Sequence, residues 1–146
     1  MTPELESKLV RKYPKIFKVD DTNSVLQVWG IECDDGWYDL LDCLCSAIQN
    51  HIDFASKDTR LTDEERDNLQ LVAQQVKSKY GGLRFYSYGG DVYTEGMIGM
   101  AEKMSYRLCE FCGFKANQQT LGTWIYTACN PCYESRVWRK TSDEKS

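Results

Sequence analysis

The sequence predicts an α+β fold, with helices packed on a small β-sheet and a C-terminal four-cysteine zinc ribbon. Three observations lead there. Stretches with apolar residues at helical spacing alternate with short β-prone runs. Capping residues and glycine pairs stand between them. Near the C-terminus lie two C-x2-C pairs, Cys109/Cys112 and Cys129/Cys132, with sixteen residues between them.

The elements follow in order. Thr2 caps a first helix with Pro3 at its first position, and Pro14 bounds it; Leu5 and Leu9 share one face. Asp20-Asp21-Thr22-Asn23-Ser24 is a polar turn, and residues 25–33 read as a strand. Asp34-Asp35-Gly36 breaks that strand and can cap the next helix, predicted over residues 37–52 from Trp37, Leu40, Leu41, Leu44, Ala47 and Ile48. Residues 53–61 read as a loop. Thr62 to Glu65 form a capping box that opens a third helix, with Leu69, Val72, Ala73 and Val76 as its buried stripe and Gly81 as its left-handed cap. Leu83-Arg84-Phe85-Tyr86-Ser87-Tyr88 is a second strand. Gly89-Gly90-Asp91 then turns into a fourth helix, with Met97, Ala101, Met104 and Leu108 facing inward. The expected organisation is a body over residues 1–108, a zinc ribbon over 109–135 packed on it, and a polar tail over 136–146.

The cysteine spacing is that of a four-thiolate zinc site, in which two knuckles each present two sulfurs to one ion. Gly113 follows the first knuckle, where the chain turning back favours positive φ. Asn130-Pro131 sits inside the second pair and favours a tight turn. Trp124-Ile125-Tyr126-Thr127 leads into it as a β-prone run. Disulfides and unrelated thiols are the alternatives. Four thiolates close a tetrahedron, so the expected cofactor is one structural Zn²⁺ per chain, not a catalytic ion with an open position.

The 146 residues suit one ordinary domain with a small module, and 42% hydrophobic with 27% charged residues is a globular composition. No run of eighteen apolar residues marks a membrane span, and the first residues lack an apolar signal core. Seven cysteines, an odd count with four assigned to metal, point to a reducing compartment, read as the cytoplasm. The net charge is −4. Residues 1–102 carry 11 basic and 18 acidic side chains, whereas residues 103–140 carry 6 basic and 2 acidic. A duplex-DNA binder usually shows a stronger basic stripe.

Three other groups can carry chemistry. Glu32, Asp34 and Asp35 flank Cys33 at a strand–helix junction, where carboxylates could hold Mg²⁺ or act as acid and base; helix capping is the bland alternative. Residues 77–84 combine Lys77, Lys79 and Arg84 with Gly81-Gly82, a combination able to cradle a phosphate, although the Walker spacing is absent. The alternative there is a solvated helix end. His51, the only histidine, suits a capping or partly buried structural role, and Cys33, Cys43 and Cys45 read as structural thiols. An alternating strand would put Arg84 and Tyr86 opposite Leu83 and Phe85, which makes Lys77, Lys79, Arg84 and Tyr86 the candidate partner-binding residues.

Three blocks then stand out: residues 29–37 (Trp-Gly-Ile-Glu-Cys-Asp-Asp-Gly-Trp), residues 75–86 (Gln-Val-Lys-Ser-Lys-Tyr-Gly-Gly-Leu-Arg-Phe-Tyr), and Cys109-Glu110-Phe111-Cys112-Gly113 followed by Trp124, Thr127 and Cys129. In these the chain resembles a group of small phage- and prophage-encoded zinc-ribbon proteins, over about residues 9–133. Members of that group often end the second pair with histidine where this chain has Cys132. The resemblance implies a small virus-associated protein of the host cytoplasm and carries no reaction chemistry. The function it favours is a non-enzymatic accessory protein that binds and blocks or redirects a host protein, with anti-phage defence as one setting. The alternatives are a nucleic-acid or nucleotide binder using the ribbon and residues 77–84, and a metal-dependent hydrolase at Glu32, Asp34 and Asp35.

Overall fold

The computed structural model describes residues 1–18 and 29–143. Helix α1 (Pro3–Lys12) begins at Pro3 as expected, and Leu9 is fully buried. Thr2 makes no side-chain cap. Its N–H instead donates to Asp35 Oδ1 at 2.7 Å. A short helix α2 (Pro14–Phe17) follows and buries Ile16 and Phe17. The Tyr13 hydroxyl between them donates to Asp42 Oδ1 at 2.8 Å, and Lys12 Nζ reaches the same oxygen at 2.8 Å. The polar turn expected at residues 20–24, and residues 25–28 of the expected strand, lie outside the described residues; strand β1 is Ile31–Glu32.

A 3-10 turn, Asp35–Trp37, leads into α3 (Tyr38–Ala55), whose buried face is Leu41, Leu44, Cys45, Ile48 and Ile52. No Asp34 or Asp35 side chain caps this helix; the Asp35 carboxylate is engaged at the start of α1. Helix α4 (Asp63–Leu69) has the capping box read from sequence: Thr62 Oγ1 accepts from the Glu65 amide and the Glu65 carboxylate from the Thr62 amide.

The third helix does not continue to Gly81. Residues from Val72 onward form strand β2 (Val72–Lys79), which turns into β3 (Gly82–Tyr88). The reason is a β-bulge between Ala73 and Gln75. The extra residue leaves the buried Ala73 and Val76 three positions apart, the spacing of a helix face. Tyr80 and Gly81 form the hairpin loop with φ of 52° and 74°, two consecutive left-handed residues of the kind a type I′ turn requires. Gly81 is thus a turn residue and not a helix cap. The sheet order is β1-β2-β3, with β1 parallel and β3 antiparallel to the central β2.

Helix α5 (Val92–Ser105) starts at an Asp91–Thr94 capping box and packs on α3 and β3. It also blunts the outer edge of β3. Ser105 Oγ accepts from the Leu83 amide at 2.9 Å, and Glu102 Oε1 accepts from the Phe85 amide at 3.0 Å. Ala101 is buried and Met97 packs on the core; Met104, expected to face inward, is 39% exposed.

Behind the body, β4 (Asn117–Leu121) and β5 (Trp124–Ala128) form a two-stranded antiparallel ribbon. Helix α6 (Asn130–Asp143) follows. The Asn130-Pro131 pair therefore opens a helix in place of a turn, with Pro131 where its missing N–H is harmless. The same helix occupies residues 136–143, read from the sequence as tail. The core lies between the sheet and α1, α2, α3 and α5, centred on the fully buried Trp37, Leu41, Ile48, Val76 and Leu83. A second, much smaller cluster buries Cys109, Ala116 and Ala128 in the ribbon.

Candidate metal centre

The ribbon's first knuckle is shaped by backbone hydrogen bonds. The Cys109 amide donates to the Phe114 carbonyl at 2.7 Å, and the Gly113 amide to the Cys109 carbonyl at 2.8 Å. Gly113 has φ +79°, as the turn demands. The second pair straddles the start of α6: Cys129 precedes it and Cys132 sits in its first turn. Together the knuckles bring the four Sγ atoms within 4.8 Å of one another.

That arrangement could hold a metal ion. Cys112 and Cys129 sulfurs are 3.5 Å apart, far beyond a disulfide bond, and all seven cysteines are free. Sulfurs bound to one Zn²⁺ at about 2.3 Å stand about 3.8 Å apart in a tetrahedron, within the spread of separations here. The proton chemistry fits as well. Burial works against a Cys109 thiolate, but the amides of Cys129, Cys112 and Phe111 outweigh it and bring Cys109 down to about 7. Burial above all pushes Cys112 and Cys132 up, and the sulfurs of Cys109 and Cys129 act on both in the same direction. Four crowded thiols resist ionising together unless a cation compensates them.

The ribbon is anchored to the body at residues from all three distinctive sequence blocks. A Cβ on Gly36 would lie 2.3 Å from the Cys109 carbonyl oxygen, so the first knuckle rests directly on the Gly36 backbone. The Gly36 amide donates to the Glu110 carbonyl at 2.8 Å, and Trp37 Nε1 to the Leu108 carbonyl at 2.9 Å. At the hairpin tip a Cβ on Gly81 would meet the β5 backbone at 3.1 Å, and the Thr127 hydroxyl donates to the Gly81 carbonyl. Arg136 of α6 closes the joint. Its guanidinium lies 3.5 Å from the Phe111 ring centroid and 3.7 Å from Asp34.

Sequence reasoning missed Glu110, inside the first knuckle. It is 4% exposed, and Ser78 Oγ donates to its Oε2 at 3.0 Å. Desolvation raises its pKa. The one available signal was a carboxylate placed between two ligand cysteines.

The remaining candidates separate. Glu32 Oε1 accepts from Gln75 at 3.3 Å, Asp34 faces Arg136, and Asp35 holds the Thr2 amide. The three carboxylates therefore have three different partners, and among the described residues the four cysteines are the only group of three or more that could hold a metal ion. Residues 77–84 are a hairpin, not a helix end. Lys77 and Arg84 are cross-strand partners, and Arg84 and Tyr86 lie on the face opposite the buried Leu83 and Phe85. Each of the three cations touches an aromatic ring: Lys77 lies over Tyr86, Lys79 over Tyr80, and Arg84 donates to the Tyr106 hydroxyl at 2.9 Å. His51 is partly buried, with Nε2 2.7 Å from Asp91 Oδ2. Cys33 and Cys45 are buried; burial pushes Cys33 up to about 12 and raises Cys45 too. Among the described residues no helix is long and apolar enough to cross a membrane. No protein-family model, curated protein or solved structure matches the chain.

Proposed function

We propose that this chain is a non-enzymatic binding protein whose four cysteines hold one structural Zn²⁺, and that it acts by blocking or redirecting a partner protein. Four thiolates at tetrahedral spacing suit zinc and leave no position open for a substrate. The ion clamps both knuckles, and through them the ribbon, against Gly36 and the hairpin tip. The observation that carries the binding reading is the exposure of large aromatics at that joint: Tyr80 is 69% exposed and Trp124 66%, with Tyr86 of the candidate partner-binding face at 43%. Such residues anchor protein interfaces when a partner covers them. The resemblance to phage-encoded proteins makes host proteins the place to seek that partner.

The test is affinity capture from host lysate with the zinc-loaded wild type, Trp124→Ala and Arg84→Glu. A protein held by the wild type and lost by a variant of equal zinc content supports the reading. Identical captured sets for all three would refute it. A nucleic-acid partner would instead show steep loss of binding with added salt.

A further inference from the structure

We propose that the groove between the hairpin tip and the ribbon receives a cationic side chain, lysine or arginine, of the partner protein, with Glu110 as its counter-ion; this rests on the binding reading above. The groove has a volume of about 520 Å³ and is lined by Ser78, Lys79, Tyr80, Glu110, Trp124 and Tyr126, among others. Glu110 sits in its wall, 4% exposed, with Ser78 as its hydrogen-bond donor. Among the described residues no lysine or arginine makes an ion pair with it. The two nearby cations have ring partners of their own, although the charge of Arg136 still acts on Glu110. Lys79 Nζ lies 5.6 Å from the Tyr80 ring centroid, and Arg136 stacks on Phe111 beside Asp34.

A buried carboxylate without an ion-pair partner is costly, and a cation entering from outside removes part of that cost. The walls favour the same guest. Tyr80 and Trp124 present exposed rings, and aromatic faces attract ammonium and guanidinium groups. Arginine can stack on a ring while donating to a carboxylate. The body over residues 1–102, with 11 basic and 18 acidic side chains, draws a basic partner at long range. A guanine base could also stack and donate to a carboxylate, so GMP serves as the competitor that separates the two guests.

The experiment uses the zinc-loaded full chain and a fluorescent hexa-arginine peptide, followed by anisotropy at fixed ionic strength, with hexa-glutamate and GMP as competitors. The variants are Glu110→Gln, which keeps the shape and the Ser78 bond, Trp124→Ala, and Asp39→Asn as an exposed control with the same charge change. Hexa-arginine should bind wild type and Asp39→Asn alike, and Glu110→Gln and Trp124→Ala at least tenfold more weakly; neither competitor should displace it. Equal affinity for wild type and Glu110→Gln, or displacement by GMP, would overturn the proposal. Should Glu110→Gln lose zinc, Trp124→Ala decides, since its position is exposed: unchanged affinity there overturns the proposal as well. The two readings fail separately. If Trp124→Ala still loses the captured partner while Glu110→Gln binds hexa-arginine as wild type does, the binding function stands and the cation pocket falls.

Discussion

At the residue scale, two kinds of position hold the ribbon together. The cysteines would supply the ligands of a bound metal: replacing Cys132 by serine leaves three thiolates, and we expect metal content well below one equivalent with residues 109–133 loosened. Metal analysis under reducing conditions, paired with limited proteolysis, measures both. Gly36 supplies the clearance. Its α-hydrogen faces the Cys109 carbonyl at a distance no side chain tolerates. Gly36→Ala should therefore destabilise the fold by about 1–3 kcal/mol, the usual cost of overpacking, and weaken metal retention although no ligand has changed. Denaturant unfolding of the holo protein gives the first quantity and a chelator competition the second.

At the element scale, α5 and the β2–β3 hairpin each depend on one local device. Asp91 Oδ1 accepts from the Tyr93 and Thr94 amides at 3.0 Å. Removing such a cap by Asp91→Ala should cost about 1–2 kcal/mol. Desolvation works to raise the Asp91 pKa, but the His51 hydrogen bond and the Thr94 and Tyr93 amides outweigh it, so the carboxyl titrates below its ordinary value of 3.8. A carboxyl lowered in the folded state stabilises it fully above the unfolded value and loses that contribution as pH falls through the lowered one. The stability difference between wild type and Asp91→Ala should hold at neutral pH and shrink below about pH 4; thermal unfolding across that range measures it. In the hairpin, Tyr80 occupies a left-handed position that asparagine adopts more readily. Tyr80→Asn should raise stability by about 0.5 kcal/mol and weaken hexa-arginine binding, a trade that a purely structural tyrosine would not show.

At the scale of the whole molecule, the two clusters differ in self-sufficiency. The body core joins Trp37, Leu41, Ile48, Val76 and Leu83 with residues from four helices, whereas the ribbon's cluster buries only Cys109, Ala116 and Ala128. So small a cluster cannot offset the entropy of ordering the ribbon, and a metal held by the four cysteines would supply the difference. Metal removal should therefore open the ribbon first. Hydrogen exchange after chelation should show residues 109–128 losing protection while the α3 and β2 amides keep theirs. Simultaneous loss in both would mean that body and ribbon fold as one unit.

The sequence by itself determined the α+β class, the first helix from Pro3, the Thr62–Glu65 capping box, the β3 strand with Arg84 and Tyr86 opposite Leu83 and Phe85, and the four cysteines that converge. Each follows from a local rule, whether a cap, an alternation or a ligand spacing, that needs no distant contact. The sequence misassigned residues 72–79, because a bulge imitates helical spacing; only pairing with β1 and β3 makes them the central strand. Asp35 likewise looked like a cap for the helix after it and serves the start of α1, since proximity along the chain does not reveal which amide folds back onto a carboxylate. Tertiary structure alone decided what the three distinctive blocks share. Gly36, Gly81, Glu110 and Thr127 lie far apart in sequence and meet at one joint, where backbones approach closely enough that a single Cβ would part them.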